Sequence, residues 1–155
     1  MPEDGKKAPD FKLQADDGAI VQLSALRGHP VVVYFYPKDD TTGCTAEAKD
    51  FSCLAPEFAK AGATIIGISP DSAAKHAKFK TKHELDLTLV ADVDKDAAEA
   101  YGVWVEKSMY GRKYMGVERS TFLVDGKGKI ARSWRKVKIP GHAEEVLATV
   151  RALET

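Results

Sequence analysis

The sequence predicts an α/β domain with a mixed central β-sheet flanked by helices. Two continuous apolar runs, "PVVVYFYP" over 30–37 and "TIIGIS" over 64–69, are typical of central strands that are buried on both faces. Segments in which apolar residues repeat with a helical period alternate with these runs, and two strands follow late in the chain. Strands that alternate with helices usually pair in parallel, whereas the two strands of a late hairpin pair antiparallel. The sheet is therefore expected to contain both parallel and antiparallel strand pairs.

The individual elements follow from local signals along the chain. The segment "FKLQADDGAIVQL" predicts an N-terminal hairpin, because Asp17-Gly18 is a strong turn signal. Helical spacing of apolar residues predicts a helix from Cys44 to Ala61, and Asp71 or Ser72 is expected to cap a second helix. The other predicted elements are a strand over 87–92, a short helix ending at Gly102, two strands within 120–135 and a C-terminal amphipathic helix.

Composition and charge narrow the class of protein. With 155 residues, of which 44% are hydrophobic, the chain is expected to form one domain over 1–155. Its 23 basic and 23 acidic residues balance, which argues against a nucleic-acid partner or an anionic membrane. No window approaches the roughly 18 apolar residues of a membrane span, and the first residues do not form a signal peptide. With two cysteines and no export signal, we expect a cytoplasmic protein.

The sequence shows no pattern of metal ligands. His29, His76, His83 and His142 are scattered without ligand spacing, so we expect no metal site. His76 and His83 lie on one predicted helix, and a solvated face is the simpler interpretation of that pair. The segment 92–103 begins like a calcium loop but lacks the glycine and the final glutamate that such a loop needs.

The strongest chemical signal is the position of Cys44. It lies in "YFYPKDDTTGCTAEAKDFSC", where a buried strand gives way to a helix. Unpaired N–H groups and the positive end of the helix dipole stabilise an anion there, and the thiolate is the reactive form of cysteine. Thr41 is close enough along the chain to offer its hydroxyl to the sulfur. A reactive thiol is therefore indicated, with a small buried side chain as the alternative.

Three segments of the chain resemble one enzyme family. Pro37, Thr41 and Cys44 match the Pro-x-x-x-Thr-x-x-Cys motif of the peroxiredoxins, which are thiol peroxidases. "GKKAPDFKL", "YFYPKDDTTGCTAEA" and "YGVWVEKSMYGRKYMGVERSTFLVDGKGKI" resemble segments of the PrxQ, or bacterioferritin-comigratory-protein, group. The resemblance implies a monomer with a thioredoxin-like fold and an N-terminal β-hairpin extension. It also implies reduction of hydrogen peroxide and organic hydroperoxides without a metal or flavin cofactor.

The resemblance also implies roles for individual residues. Cys44 would be the peroxidatic cysteine, Thr41 its hydroxyl partner and Pro37 the residue that shields the sulfur from bulk water. Arg119 would be the active-site arginine, held in place by Glu47 in the first helical turn. A fixed guanidinium suits this reaction, because negative charge spreads from the sulfur across the breaking O–O bond. A surface salt bridge for Arg119 and a charge–dipole contact for Glu47 are the alternatives.

The means of recycling Cys44 is less clear from the sequence. A thiol must capture the sulfenic acid, but Lys49 and Lys80 occupy the positions where related proteins carry a resolving cysteine. Cys53 is the remaining candidate. Nine residues of helix separate it from Cys44 by about 13.5 Å and place it on the opposite face, whereas a disulfide needs Cα atoms within about 7 Å. Internal and intermolecular disulfides stay open, but we expect a one-cysteine mechanism with thioredoxin, glutaredoxin or a low-molecular-weight thiol as reductant.

Two other functions fit the same fold. A thiol–disulfide oxidoreductase would use a Cys-x-x-Cys pair, whereas Cys44 is followed by Thr45, Ala46 and Glu47. A redox-sensing protein with little turnover is the third class. The peroxidase is the function that the three matching segments favour.

Overall fold

The computed structural model describes residues 2–153 and contains nine strands and four α-helices within that range. A short 3₁₀ helix, Leu23–Leu26, lies between the second and third strands. In chain order the elements are β1 (Lys12–Ala15), β2 (Ile20–Gln22), β3 (Val31–Phe35), α1 (Thr42–Lys60), β4 (Thr64–Ser69), α2 (Ala73–His83), β5 (Thr88–Ala91), α3 (Asp96–Ala100), β6 (Trp104–Met109), β7 (Arg112–Val117), β8 (Ser120–Val124), β9 (Ile130–Trp134) and α4 (His142–Ala152).

Seven strands form one mixed sheet in the order β2-β1-β5-β4-β3-β8-β9. Strand β3 lies in the interior of the sheet, with β4 parallel on one side and β8 antiparallel on the other. All five residues of β3 are buried, as its continuous apolar sequence predicts. The register pairs Phe35 with Ser120, so the chain leaving β3 and the chain entering β8 lie at the same end of the sheet. This edge is where the predicted site residues meet.

The residues of β3 alternate between two hydrophobic clusters. Val32 and Tyr34 face a cluster that contains apolar residues of α1, α2 and α4. Val33 and Phe35 face a second cluster that is built from α3 and the N-terminal segment. The expected covering of both faces is therefore confirmed, although α3 and the segment before β3 share the second face. Within residues 2–153, no helix is both long enough and apolar enough to span a membrane.

The N-terminal hairpin is an extension of the main sheet. Strand β1 pairs with β2 on one side and with β5 on the other, both antiparallel. The turn between β1 and β2 contains Asp17, whose carboxylate accepts a hydrogen bond of 2.9 Å from the Ala19 N–H, and Gly18, whose φ is +87°. The predicted hairpin and its turn are confirmed.

One element was not predicted from the sequence. Strands β6 and β7 form a separate two-stranded sheet, and most of their residues are exposed or only half-buried. Their connection, Tyr110-Gly111, has positive φ at both residues, as the two-residue hairpin turns with mirror-image geometry require. Tyrosine is not a residue that normally signals such a turn, and no apolar alternation marks the strands.

Two other features differ from the predictions, and one prediction is narrowed. Helix α1 begins at Thr42, two residues before the predicted start, so Glu47 lies in its second turn and not in its first. Of the two residues predicted to cap α2, Ser72 is the cap, and its hydroxyl accepts a hydrogen bond of 3.2 Å from the Lys75 N–H. The prediction of a solvated face for His76 is wrong, because this side chain is completely buried.

We expect Gly67→Ala to destabilise the protein. An added Cβ would lie 2.8 Å from Leu89 Cδ2 and from the ring and hydroxyl of Tyr34, all inside the packed core. Overpacking of this kind costs about 1–3 kcal/mol of unfolding free energy, measurable by urea denaturation. The control is Gly116→Ala, where the nearest atom is the flexible Lys107 side chain and a change within about 0.5 kcal/mol is expected. Equal effects of the two substitutions would contradict the packing account.

Candidate active site

The site is built around Cys44 at the start of α1. Strand β3 ends at Phe35, a loop follows, and Thr41 precedes the first helical residue. The first intrahelical hydrogen bond, from the Thr45 N–H to the Thr41 carbonyl, is 2.9 Å long, so the preceding N–H groups of the first turn have no acceptor within the helix. Cys44 is the third residue of α1 and is only 2% exposed. Its thiol therefore faces a local positive potential with little bulk water around it.

Arg119 connects the thiol to a buried carboxylate. Its Nη2 lies 3.2 Å from Cys44 Sγ, and its Nη1 donates a hydrogen bond of 2.6 Å to Glu47 Oε1. The residue directly precedes β8, which pairs with β3, and its carbonyl accepts a hydrogen bond of 3.0 Å from the Val137 N–H. The planar guanidinium is thus fixed by two side chains and by its own backbone.

Glu47 is almost completely buried, and this changes its ionisation. Burial raises its pKa to about 7, although the positive charge and the hydrogen bond of Arg119 act in the opposite direction. Within the described residues its second oxygen, Oε2, has no hydrogen-bond partner. Burial alone would lower the pKa of Arg119, but the charges of Glu47 and Cys44 outweigh that effect and raise it. The guanidinium therefore remains protonated beside the sulfur.

Thr41 and Pro37 lie in the loop before α1. The Thr41 hydroxyl donates its hydrogen to the Lys38 carbonyl at 2.9 Å, so in this conformation it does not donate to Cys44. Pro37 is half-buried and follows Tyr36, whose N–H is bonded to the Ile68 carbonyl at 3.0 Å. The structure therefore brings Cys44, Arg119 and Glu47 into direct contact and places the other two predicted residues in the adjoining loop.

Two neighbours of the site were not singled out from the sequence. The charges of Arg119 and Cys44 act on Lys107 of β6, and burial followed by the Arg119 charge lowers the pKa of this lysine. A Cβ placed on Gly43 would lie 3.3 Å from Arg119 Nη2 and 3.4 Å from Ile139 Cδ1, so glycine allows both side chains to approach α1. Only the glycine beside the cysteine could have signalled this close approach in the sequence.

Cys53 is placed away from Cys44. Both cysteines are free, but Cys44 is buried whereas Cys53 is exposed on the same continuous helix. Of the two lysines at the positions expected for a resolving cysteine, Lys80 pairs with Asp16 at 3.2 Å and Lys49 is exposed. The two cysteine side chains therefore do not meet while α1 is folded.

A thiol held against a fixed cation suits a reaction in which negative charge passes from a thiolate sulfur to a departing oxygen. Within residues 2–153, no group of three or more His, Cys, Asp and Glu side chains is arranged to hold a metal ion. On a thioredoxin-like sheet, this thiol–guanidinium arrangement defines the class of thiol-dependent peroxidases.

Comparison with known proteins gives the particular family. Residues 5–133 match the model of the AhpC/TSA family, and the chain belongs to that family. It is 50% identical over 149 residues to peroxiredoxin Bcp of Bacillus subtilis, covering 96% of this chain and 95% of the relative. A putative Bcp of Coxiella burnetii is 48% identical over 145 residues, covering 94% and 96% of the two chains.

Solved structures agree with this assignment. A structure of Xanthomonas campestris bacterioferritin comigratory protein, studied for its alkyl peroxide reduction activity, superposes with a TM-score of 0.90 at 44% identity and covers 97% of this chain and 98% of its own. A Xylella fastidiosa PrxQ superposes with a TM-score of 0.93 at 37% identity, covering 98% and 97%. The chain is a peroxiredoxin of the PrxQ group, so the expected fold and the expected thiol peroxidase function are confirmed.

Glu47 should make stability depend on pH. The pKa of Glu47 in the folded protein, about 7, lies above the ordinary glutamate value of 4.5, so between these values the folded state binds more protons and the unfolding free energy falls as pH rises. We expect Glu47→Gln to remove this fall, which is at most about 3 kcal/mol, in urea denaturation at a series of pH values between 4 and 8. The control is Glu57→Gln on the same helix, at a half-exposed position, which should keep the parent's pH dependence. An unchanged pH dependence in Glu47→Gln would contradict the effect of burial.

Proposed function

We propose that Cys44 is the peroxidatic cysteine and that Arg119 stabilises the charge that develops during its attack. The observation that carries this proposal is the contact of 3.2 Å between Arg119 Nη2 and Cys44 Sγ, with Nη1 held by buried Glu47. The substrates are hydrogen peroxide and organic hydroperoxides. The alkyl peroxide reduction studied in the Xanthomonas relative supports the second class.

The peroxide step is a displacement at oxygen. The Cys44 thiolate attacks one oxygen of the peroxide, a sulfur–oxygen bond forms, and the O–O bond breaks. The departing alkoxide or hydroxide takes up a proton, so sulfur becomes sulfenic acid and the peroxide becomes an alcohol or water. The guanidinium and the free N–H groups of the first turn of α1 stabilise the negative charge that develops on the departing oxygen in the transition state. Thr41 can join them if its hydroxyl turns from Lys38 toward the substrate.

We also propose that an external thiol, and not Cys53, reduces the sulfenic acid. The first thiol forms a mixed disulfide with Cys44 and releases water, and a second thiol then frees Cys44 as a new disulfide forms. The position of Cys53 on the exposed side of an intact helix supports this proposal. Two structures of Xanthomonas campestris peroxiredoxin Q each have one cysteine replaced by serine. The two replaced cysteines are as far apart in sequence as Cys44 and Lys80 are in this chain, which has a lysine and not a cysteine at the later position.

The same proposal includes the electron donor, the cellular location and the oligomeric state of the protein. Thioredoxin, glutaredoxin or a low-molecular-weight thiol would supply the electrons. The two free cysteines support a reducing cytoplasmic location. Resemblance to the PrxQ group supports a monomer, which light scattering on a sizing column would test.

Replacement of each cysteine separates the two roles. We expect Cys44→Ser to abolish peroxide consumption in an NADPH-coupled assay with thioredoxin or glutaredoxin, because serine cannot form a sulfenic acid. Cys53→Ser should keep the parent's rate, because Cys53 takes no part in the cycle. Turnover in Cys44→Ser would contradict the assignment of the peroxidatic residue.

Intact mass identifies the first product directly. After one equivalent of hydrogen peroxide, the protein should gain one oxygen atom, and a dimedone adduct should form on Cys44. Loss of two hydrogens in a monomer would instead show a Cys44–Cys53 disulfide. That result would overturn the one-cysteine mechanism while leaving the peroxidase function in place.

A further inference from the structure

A buried hydrogen-bonded pair of ionisable side chains lies outside the thiol–guanidinium cluster. Asp39, in the loop before α1, and His76, on α2, are joined by a hydrogen bond of 2.7 Å between Oδ2 and Nδ1. Their side chains are 3% and 0% exposed. The proposed mechanism gives neither residue a chemical step.

The hydrogen bonds of this pair fix the orientation of both side chains. The Val90 carbonyl lies 2.9 Å from His76 Nε2 and can only accept, so Nε2 carries a hydrogen. Asp39 Oδ1 accepts a hydrogen bond of 2.6 Å from the Tyr36 hydroxyl, which leaves Oδ2 for His76 Nδ1. Each oxygen of the carboxyl group and each nitrogen of the ring therefore has a hydrogen-bond partner.

The loop is held from α2 and from the end of β4. The Asp39 N–H donates to Asp71 Oδ2 at 2.7 Å, and the Ser69 hydroxyl donates to the same oxygen at 2.7 Å. The next residue, Asp40, has a φ of +60°, in the left-handed region that side chains rarely adopt. Backbone in such a region persists only where the surrounding contacts impose it. The buried hydrogen bonds of Asp39 are among the contacts that hold Asp40 in this conformation.

Stability alone is a weak explanation for a buried polar pair. Removal of two polar groups from water offsets most of their attraction, so such pairs contribute little net stability compared with apolar residues of the same shape. Their effect on geometry is larger, because a reacting group that is displaced by about 1 Å can lose about 100-fold in rate. Asp39 lies midway between Pro37 and Thr41, so its position sets the path of the loop into α1.

We infer that Asp39 and His76 are positioning residues for the peroxide step, which act by fixing the loop from Pro37 to Thr41 beside Cys44. This inference rests on the proposed role of Cys44 as the peroxidatic cysteine. The pair holds Thr41 where its hydroxyl can reach the substrate and keeps the first turn of α1 in register with Arg119.

Two substitutions at position 39 separate hydrogen bonding from charge. In Asp39→Asn, the amide oxygen can still accept from Tyr36, and the amide nitrogen can donate to a neutral His76 that keeps its bond to Val90. In Asp39→Ala, both Tyr36 and His76 lose their partner. In His76→Gln, one amide group replaces the two ring nitrogens that face Asp39 Oδ2 and the Val90 carbonyl, so one of these oxygens loses its partner. This substitution is the second disruptive variant if Asp39→Ala does not fold.

The test compares two reactions of Cys44, each in a Cys53→Ser background so that only one thiol reacts. Stopped-flow fluorescence gives the rate constant with hydrogen peroxide, and mass spectrometry gives the rate constant for alkylation by iodoacetamide. Circular dichroism confirms that each variant is folded. Lys80→Gln is the matched control, because it removes another partly buried ion pair of α2 that does not touch this loop.

We expect Asp39→Ala to lower the peroxide rate constant about 10- to 100-fold while alkylation, which does not need an aligned peroxide, changes less than about threefold. His76→Gln should change in the same direction. Asp39→Asn and Lys80→Gln should stay within about threefold of the parent in both reactions, because the loop keeps its hydrogen bonds.

Two results would overturn the inference. One is a folded Asp39→Ala or His76→Gln protein with the parent's peroxide rate constant. The other is an equal loss in peroxide reaction and alkylation, which would indicate a general change in the thiol instead of lost alignment. Failure of the proposed function is distinguishable, because peroxide would then be consumed equally by the parent and by Cys44→Ser.

Discussion

The hydrogen-bonded ion pair between Arg119 and Glu47 is the interaction on which the site depends. An arginine side chain loses much conformational entropy when it is fixed, and a surface pair rarely holds one geometry. Here the carboxylate is buried, and its 2.6 Å contact leaves the other arm of the guanidinium directed at Cys44. Glu47 follows Cys44 by three residues on α1, so both side chains lie on the same face of the helix. One arginine can therefore contact both.

The topology of the sheet explains why Arg119 is available at this point. Strand β8 runs antiparallel beside β3, and Ser120 pairs with Phe35. The residue before β8 must therefore lie next to the chain that leaves β3 for α1. Residues from distant parts of the sequence meet because two neighbouring strands have their ends at one edge of the sheet. The loop that leads into α1 is held by the buried hydrogen bond between Asp39 and His76, and Arg119 is held by buried Glu47.

Local sequence patterns predict the elements in which buried apolar residues recur at regular intervals. Strand β3 is apolar throughout, and α1 has a clear apolar face, so both could be placed from sequence. The β6–β7 hairpin could not, because its exposed strands have no strong apolar alternation and its turn is Tyr110-Gly111. The burial of His76 could not be predicted either, because its partner, Asp39, lies 37 residues away in sequence. Cys44 and the nearby Thr41 are indicated by their place at the start of a predicted helix, and the family resemblance gives roles to Pro37, Arg119 and Glu47. Only the structure shows which of these residues touch.

The central claim is that Glu47 acts on the peroxide reaction through Arg119. The most direct test is the rate constant for hydrogen peroxide in the parent, Arg119→Ala, Glu47→Gln and the double variant, which together form a double-mutant cycle. Arg119→Ala should lose about 100- to 1,000-fold, as removal of one preorganised donor does. Glu47→Gln should slow the parent but change the Arg119→Ala protein by less than about twofold, because residues that act as a unit are not additive. If the two losses multiply independently in the double variant, Glu47 does not act through Arg119 and the account is wrong.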